Sequence, residues 1–504
     1  MSGRVQPASV PAAGEPVLEV RADTGSMGRA VAGGAGWSSL GRLGSQALQF
    51  LASLVLARLI APTEFGLVAS VLVFTQFALI FFELGLGAAL VQLRDLRQQD
   101  LATVFWINAL GGLVFAGLLA LCAPLIAGFY GEPGLRGVVL VVSLTFTLNL
   151  GVCHLALLQR AMRFKQIALA ELTAAATGFA VTIALAVAGL GVYALAIGPV
   201  VQSVTMTILL WSLVRWRPHH FVVRASVVRI RRFSAGMLGF NVVNYWGRNA
   251  DNLLVGRFVG AEALGFYNRA FNLMTLPVQQ LSQVLGRVMF PALVAMREDK
   301  ARMAAAYRRT VASINAVSVP VLVGMTAVAP ALVPALWGQR WTPTVPLLMV
   351  ICMAGVPQAM ATSVGWIYQS QNRTTTMFAV GSVSAAAGVL AMVVGLRWGA
   401  LGVAVAVLLR SWLLLLPTLH FATRLIDLRA RRVVADTLPT WGLCAVMFVV
   451  VWWLPPVLGA ARDGVAVLLA QVGTGALVYG GGMLLFRRAF LRELRVALRP
   501  RAAA

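Results

Sequence analysis

The sequence is poor in charged residues, and above all in acidic ones. Asp, Glu, Lys and Arg make up 12% of the 504 residues, which is about half of the share that is typical of soluble globular proteins. Apolar residues make up 59%. This balance excludes a string of soluble domains, which the length alone would allow, and it favours one continuous membrane domain.

Motifs of catalysis, metal binding and nucleotide binding are missing as well. The sequence contains no CxxC pair, no metal-ligand spacing, no Gly-rich phosphate loop and no nucleophile–base arrangement. We therefore expect no enzyme, no cofactor and no ATP coupling. The cysteines lie in apolar runs, where buried thiols are common; they are Cys122, Cys153, Cys352 and Cys444. We expect the histidines, His154, His219, His220 and His420, at the cytoplasmic interface.

The first 28 residues have no early apolar core of the kind that a cleavable signal peptide needs. They are rich in Ala, Pro, Gly and charge, a composition that favours disorder. We predict that residues 1–28 form a disordered cytoplasmic tail, so that the first transmembrane helix directs insertion into the membrane.

Long apolar runs are abundant, and each is long enough to cross a bilayer as a helix of about 20 residues. The runs predict an all-α polytopic membrane protein with about fourteen transmembrane helices. They lie near 33–60, 66–92, 102–129, 137–159, 166–188, 191–214, 234–256, 264–290, 310–333, 345–368, 374–396, 399–422, 434–455 and 465–486.

The basic residues alternate sharply between the two sides of these helices. The formal net charge is +24, from 41 Lys and Arg against 17 Asp and Glu. With the N-terminus in the cytoplasm, the tails and cytoplasmic loops hold 30 of the 41 basic residues and the opposite loops hold five. This is the positive-inside rule, and it explains the charge without nucleic acid. It predicts a multi-pass protein of the bacterial inner membrane with both termini in the cytoplasm.

Part of the sequence around the first two helices recurs 199 residues later, around helices seven and eight. Residues 58–66 align without gaps on residues 257–265, and Arg42, Ser45, Gln49 and Ser53 fall on Asn241, Asn244, Arg248 and Asn252. Because six helices separate the copies, both have the same membrane orientation, as in parallel-repeat transporters. We predict an N-lobe at 29–233, a C-lobe at 234–433, two further helices at 434–486 and a basic cytoplasmic tail at 487–504.

Polar side chains form stripes on helices one, two, seven and eight. In helix one they recur on one helical face. Placing a charged side chain at the centre of the membrane costs about 2.5–3.5 kcal/mol of free energy, so these residues should face a protein interior or a wet cavity. The predicted substrate-binding set in a central cavity is Arg42, Gln46, Gln49, Asn241, Asn244, Arg248, Asn252, Arg269, Asn272 and Arg410. Polar residues also join membrane helices, so a purely structural role stays open for each.

The buried charges favour an anionic ligand, because arginine outnumbers carboxylate and its guanidinium matches phosphate. Three acidic residues of the predicted helices, Glu83, Glu171 and Asp251, are candidates for binding a coupling proton or sodium ion. For Asp251 the alternative is a neutralising pair with Arg248, three residues earlier in the same helix.

Two blocks of the sequence resemble a known family. Residues 62–70 (PTEFGLVAS) with 82–92 (FELGLGAALVQ), and residues 248–260 (RNADNLLVGRFVG) with 263–271 (ALGFYNRAF), are similar to the signature of the polysaccharide transporter family. This family comprises Wzx-type flippases of lipid-linked oligosaccharides. It belongs to the multidrug/oligosaccharidyl-lipid/polysaccharide (MOP) superfamily, which also holds lipid II flippases and multidrug and toxin extruders.

The resemblance implies a two-lobed fold that carries an undecaprenyl-diphosphate-linked oligosaccharide across the inner membrane by alternating access. It implies membrane lipid and this substrate as partners, with a polysaccharide polymerase and glycosyltransferases as further candidates, and we expect a monomer. Two alternatives stay open. One is an ion-coupled multidrug exporter on the same fold, whose cavity should be acidic and aromatic, and the other is a membrane-embedded glycosyltransferase, ligase or polymerase.

Overall fold

A computed structural model describes most of the chain, and its regular elements are helices. The described residues are 24–83, 87, 90, 91, 93, 96–219, 221, 223, 242, 245–458 and 464–486. By contacts the chain divides into two compact units, an N-terminal unit, Met1–Tyr245, and a C-terminal unit, Trp246–Ala504. The sequence repeat places the corresponding boundary slightly earlier, between residues 233 and 234.

The described residues of the N-terminal unit form seven helices. They are α1 (Thr24–Leu59), α2 (Pro62–Glu83), α3 (Gln98–Tyr130), α4 (Leu135–Leu148), α5 (Val152–Arg160), α6 (Phe164–Val187) and α7 (Val192–Leu213).

Ten helices follow among the described residues, and all but the first residue of α8 lie in the C-terminal unit. They are α8 (245–258), α9 (Ala261–Ala295), α10 (Lys300–Trp337), α11 (Thr344–Ala361), α12 (Val364–Ser370), α13 (Thr374–Gly395), α14 (Gly399–Leu413), α15 (Leu415–Thr423), α16 (Ala430–Val457) and α17 (Val465–Phe486).

Three predicted spans are broken into two helices each, namely α4–α5, α11–α12 and α14–α15. With each of these pairs taken as one span, the helices correspond in order to the fourteen predicted ones. By length and hydropathy, nine described stretches could cross a membrane, or ten with the α4–α5 pair, which bends by 44°. This number is lower than fourteen for two reasons. Helices α13, α14 and α15 form one continuous apolar stretch, Thr374–Ile426, and α1, α8 and α9 are more polar or shorter than the others. The protein is a multi-pass membrane protein.

Local chemistry explains where several helices begin. Pro62 takes the first position of α2, where its missing N–H costs nothing, and the Glu64 carboxylate accepts the N–H of Ala61 (3.2 Å). At the start of α10 the Asp299 carboxylate accepts the N–H of Arg302 (2.9 Å), which satisfies one of the free donors of a helix N-terminus. Gly399 opens α14 at a φ of 67°, a conformation that glycine adopts without steric cost.

Each unit has its own apolar core. In the N-terminal unit α3, α4 and α7 enclose buried residues such as Val139 and Phe146. In the C-terminal unit α10 packs against α9, α11, α16 and α17, and its buried residues such as Tyr307 and Val311 form part of the core. The last two helices pack against it, and the Arg308 guanidinium of α10 binds the Asp436 carboxylate of α16 with two hydrogen bonds of 2.6 and 2.7 Å. The terminal helices are thereby fixed to the C-terminal unit.

His154, which we expect at the cytoplasmic interface, is completely buried by protein in the N-terminal unit. Its ring stacks on Trp211, with centroids 4.8 Å apart, and its Nε2 lies 3.3 Å from the Trp216 carbonyl oxygen. The chain after α7 folds back toward α5 and covers the imidazole, which hydropathy along one helix does not reveal.

Helices α13 and α14 form a tight antiparallel hairpin. A Cβ atom on Gly402 would lie 2.1 Å from the Gly395 carbonyl oxygen, and one on Gly395 would lie 2.5 Å from the Gly402 carbonyl oxygen. The two backbones therefore touch directly, as small residues allow in membrane helix pairs.

Replacing Gly402 with Ala should destabilise this hairpin by about 1–3 kcal/mol, because the added methyl group meets rigid backbone and forces overpacking. The measurement is the melting temperature of the purified protein in detergent. Gly381→Ala is the matched control, since Gly381 lies in α13 with no atom within 4 Å of an added Cβ. Equal melting temperatures of Gly402→Ala and Gly381→Ala would contradict the close packing.

Candidate functional site

A network of polar side chains connects α8 and α9 within the C-terminal unit. Asp251 of α8 is 2% exposed, and its carboxylate accepts two hydrogen bonds. The Tyr267 hydroxyl of α9 donates to Asp251 Oδ2 (2.9 Å), and the Asn252 backbone N–H donates to Asp251 Oδ1 (2.8 Å). Because Tyr267 is completely buried, the hydrogen bond is shielded from water and its geometry is fixed by the packing of two helices.

Side-chain amides extend this network toward the surface of α9. Asn268 Nδ2 donates to Asn252 Oδ1 (3.4 Å), and Asn272 Nδ2 donates to Asn268 Oδ1 (2.7 Å). Asn272 is exposed, whereas Asn252 and Asn268 are half-buried. The three amides form a ladder that offers both donors and acceptors at its exposed end, as recognition of hydroxyl groups requires.

Arg410 of α14 extends toward α13. Its Nη2 donates to Ser384 Oγ of α13 (3.3 Å), and its charge is near enough to the Asp251 carboxylate for a weak electrostatic attraction. The side chain crosses α13 at Gly388, where an added Cβ would lie 2.7 Å from Arg410 Nε. The absence of a side chain at Gly388 therefore gives the guanidinium its place.

Arg269, also on α9, lies beneath an aromatic cluster. Its guanidinium carbon is 5.8 Å from the centre of the Trp341 ring, a distance at which a cation–π attraction operates. Trp341 is fully buried and contacts Phe266 and Trp337 in turn. Arg269 and Tyr267 lie on the same helix, but Arg269 contacts Trp341 whereas Tyr267 contacts Asp251.

Hydrogen bonds connect two members of the predicted set, Asn252 and Asn272, to Asp251, and the charge of a third, Arg410, attracts it weakly. Arg248 is exposed on α8, and the hydrogen bonds of Asp251 go to Tyr267 and Asn252. The alternative of an Arg248–Asp251 pair is therefore replaced by a contact between neighbouring helices.

The other predicted residues are placed only in part. In the N-terminal unit Gln46 and Glu171 are half-buried and Gln49 is exposed. Asn241, Asn244 and the side chains of Arg42 and Glu83 lie outside the described residues. Their roles stay predictions.

Sequence patterns missed Tyr267, Ser384 and Gly388. A stripe on one helix shows which residues share a face, but it does not show which residues on another helix oppose them. The amide ladder was partly visible, because Asn268 and Asn272 are one helical turn apart.

The sequence matches the model of a family described as polysaccharide biosynthesis protein over residues 55–346. Among curated proteins it is similar to the succinoglycan biosynthesis transport protein ExoT of Rhizobium meliloti, with 27% identity over 93% of this chain and 96% of that protein. It is 28% identical to the teichuronic acid biosynthesis protein TuaB of Bacillus subtilis over 70% of this chain and 74% of TuaB. The lipopolysaccharide biosynthesis protein WzxC of Escherichia coli is 27% identical over 75% of this chain and 77% of WzxC.

Two solved structures show the same fold. The lipid II flippase MurJ in an inward closed conformation has a TM-score of 0.73 at 16% identity, covering 91% of this chain and 99% of MurJ. An inward-facing multidrug resistance transporter of the MATE family in the MOP superfamily has a TM-score of 0.59 at 12% identity, covering 77% of this chain and 95% of that one. The expected MOP fold is confirmed.

The charges of Asp251 and Arg410 should be energetically coupled, because each stabilises the other inside the membrane domain. Asp251→Asn and Arg410→Gln should each lower the melting temperature, and the double variant should lose less than the sum, with a coupling of about 0.5–3 kcal/mol. Arg248→Gln is the matched control, since Arg248 lies on the same helix and is exposed. Additive losses in the Asp251–Arg410 pair, or equal coupling with Arg248, would contradict the assignment.

Proposed function

Because the chain belongs to the polysaccharide biosynthesis protein family, we propose that it is a flippase that carries an undecaprenyl-diphosphate-linked oligosaccharide across the bacterial inner membrane by alternating access. The observation that carries the proposal is that the chain combines this family with the fold of a lipid II flippase over 91% of its length. The relatives are named for succinoglycan, teichuronic acid and lipopolysaccharide, so the cargo is proposed to be a repeat unit of an exopolysaccharide, O-antigen or capsule.

The polar groups of the C-terminal unit suit the two parts of such a substrate. Arg269 and Arg410 offer guanidinium groups, which bind phosphate with paired hydrogen bonds, and Asn252 and Asn272 offer amides for sugar hydroxyls. Arg42, Gln46, Gln49, Asn241, Asn244 and Arg248 remain in the proposed binding set. A net cationic set fits a diphosphate better than it fits a cationic drug.

Transport in this proposal draws on an ion gradient, the membrane potential or polymerisation on the far side. Among Glu83, Glu171 and Asp251, the last already accepts two hydrogen bonds and has Arg410 as counter-charge. These contacts favour a structural role for Asp251, and all three residues stay proposed candidates for binding a coupling proton or sodium ion.

The proposal includes the membrane topology, the partners and the oligomeric state of the protein. The chain acts as a transporter and not as an enzyme, with both termini in the cytoplasm, where its basic loops lie. Its partners are membrane lipid and the lipid-linked oligosaccharide, together with the polymerase and glycosyltransferases of the same pathway, and it works as a monomer.

A multidrug exporter is the second candidate, because the fold is shared with a MATE transporter at a TM-score of 0.59. The two functions differ in the consequence of deletion. Loss of an exporter sensitises cells to cationic drugs, whereas loss of an oligosaccharide flippase traps its lipid-linked precursor in the cytoplasmic leaflet.

Deletion of the gene should abolish the surface polysaccharide, raise the cytoplasmic-leaflet precursor and leave drug susceptibility unchanged. Arg42→Ala and Arg248→Ala should each restore at most about a tenth of the export that the intact protein restores, because losing one charge-assisted hydrogen bond costs about 1.5–3 kcal/mol. The readouts are polymer at the surface and precursor extracted from membranes.

Arg136→Ala serves as the matched control, because Arg136 is an exposed arginine at the start of α4 outside the proposed binding set; it should export normally. Normal export without precursor accumulation in both Arg42→Ala and Arg248→Ala would disprove their role. Drug sensitivity with normal polymer in the deletion strain would favour the exporter.

A further inference from the structure

The fourth predicted span, in the N-terminal unit, is broken near its middle. Helix α4 ends at Leu148 and α5 begins at Val152, and the two helices are bent by 44° relative to each other. Residues 149–151 between them are not helical, although they lie in the middle of the span predicted at 137–159. Non-helical backbone at this depth needs hydrogen-bond partners from the protein, because hydrocarbon offers none.

Three side chains of neighbouring helices provide these partners. The carbonyl oxygens of residues 148, 149 and 150 accept hydrogen bonds, in that order, from Thr207 Oγ1 (2.7 Å), Asn108 Nδ2 (2.8 Å) and Trp211 Nε1 (3.1 Å). Asn108 is a buried residue of α3, and Thr207 and Trp211 are one helical turn apart on α7. Asn108, Thr207 and Trp211 are called the latch below, because each holds one carbonyl group of the break.

No proline causes this break, since residues 134–198 contain none. In α10, by contrast, Pro320 has no N–H for the carbonyl of Ala316, which instead accepts a hydrogen bond from the Tyr479 hydroxyl of α17 (2.7 Å). The gap at Pro320 is permanent. The backbone after Leu148 keeps every N–H group that a continuous helix requires.

A continuous helix would satisfy the same carbonyl groups in a different way. The carbonyls of residues 148, 149 and 150 would accept the N–H groups of residues 152, 153 and 154, four positions later. These N–H groups open α5, and the first N–H groups of a helix have no partner within it. Straightening therefore exchanges three side-chain donors for three backbone donors. Two arrangements that satisfy the same acceptors form a two-state element.

The sequence also weakens the helix on both sides of the break. In α4 the hydroxyls of Ser143, Thr145 and Thr147 donate to carbonyl oxygens three residues earlier (2.7–2.9 Å), and such local hydrogen bonds compete with the helix. Gly151 has a low helix propensity, and an added Cβ there would lie 2.5 Å from Leu210 Cδ1 of α7. Both features favour the bent form, and neither forbids the straight one.

We propose that residues 149–151 are a reversible hinge, which the latch holds in its bent state, and that the hinge straightens and bends again during transport. The second part rests on the proposed function. Helix α5 is nine residues long, so a change of 44° moves its far end by about 10 Å at a rise of 1.5 Å per residue. At that end Arg160 Nη1 donates to the carbonyl oxygens of Leu90 (3.2 Å) and Leu93, so the movement also reaches the segment after α2.

The first test measures the hinge without a transport assay. The full-length protein in nanodiscs carries one spin label at Met162, just after α5, and a second at Leu110 of α3 or Ile208 of α7, which are exposed positions. Labels on an incorporated ketone amino acid leave the native cysteines in place. The pulsed distance measurement gives the populations of the bent and straightened states.

Weakening the latch should raise the straightened population. The double variant Asn108→Leu/Thr207→Val removes two donors and should increase a second distance population at least about threefold, because the bent state loses two hydrogen bonds. Thr205→Val is the matched control, since Thr205 is a half-buried threonine of the same helix outside the latch, and it should resemble the unaltered protein.

The second test makes the bend permanent. Val152 is the first residue of α5, a position that tolerates proline, and Gly151 before it has no Cβ for the proline ring to meet. Val152→Pro removes the N–H that a continuous helix would give to the carbonyl of Leu148. Added to Asn108→Leu/Thr207→Val, it should abolish the second distance population.

In liposomes that contain an undecaprenyl-diphosphate-linked oligosaccharide, Val152→Pro alone should lower the initial rate of translocation about tenfold or more, because the straight helix is strongly disfavoured. Val465→Pro is the matched control, since Val465 is also a valine after a glycine at the first position of a helix, α17. It should translocate like the unaltered protein.

The outcomes separate the hinge from the proposed function. If the unaltered protein moves no oligosaccharide, the proposed function fails, and the label distances still decide the hinge. If Asn108→Leu/Thr207→Val keeps the single distance population of Thr205→Val, the break is permanent and the hinge is overturned. If the unaltered protein translocates and Val152→Pro matches Val465→Pro in rate, the role of the hinge in transport is overturned.

Discussion

Hydrocarbon gives a charge or a peptide group nothing to bind, and the structure of this protein is organised around that constraint. Its backbone groups are satisfied within helices, and its basic residues are concentrated in the predicted cytoplasmic loops and tails. Two of the charges within the described helices contact side chains from other parts of the C-terminal unit. Asp251 accepts a hydrogen bond from Tyr267, and the Arg269 guanidinium lies against Trp341. In the proposed function, charged side chains that are held in place in this way also contact the polar part of the substrate.

The same constraint explains what could be predicted from the sequence. Apolar runs must be as long as the membrane is thick, so their number and order follow from hydropathy, and the family blocks lead to the MOP fold. The breaks within spans, such as the one between α14 and α15, were not predicted, because a short interruption barely changes the mean hydropathy of a run. The burial of His154 was not predicted for a related reason: it depends on Trp211 and Trp216, which are distant in sequence.

The candidate site was predicted residue by residue but not as an arrangement. Periodicity identified Asp251 and Asn252 as members of a polar stripe, and Arg410 stood out as a charge within a predicted helix, yet spacing suggested Arg248 as the partner of Asp251. The structure instead pairs Asp251 with Tyr267 on the next helix, and it gives Arg410 space through Gly388 on α13. Contacts of this kind depend on how helices pack, and one sequence carries little information about packing.

The central claim is that the protein moves a lipid-linked oligosaccharide from one leaflet to the other, and reconstitution tests it most directly. The purified chain would be placed in liposomes that contain an undecaprenyl-diphosphate-linked oligosaccharide, and the sugar would be probed from outside with an enzyme that cannot cross the bilayer. The account predicts that the accessible fraction rises with time above that of protein-free liposomes when an ion gradient or membrane potential is imposed. An accessible fraction equal to that of protein-free liposomes under every imposed gradient would contradict it.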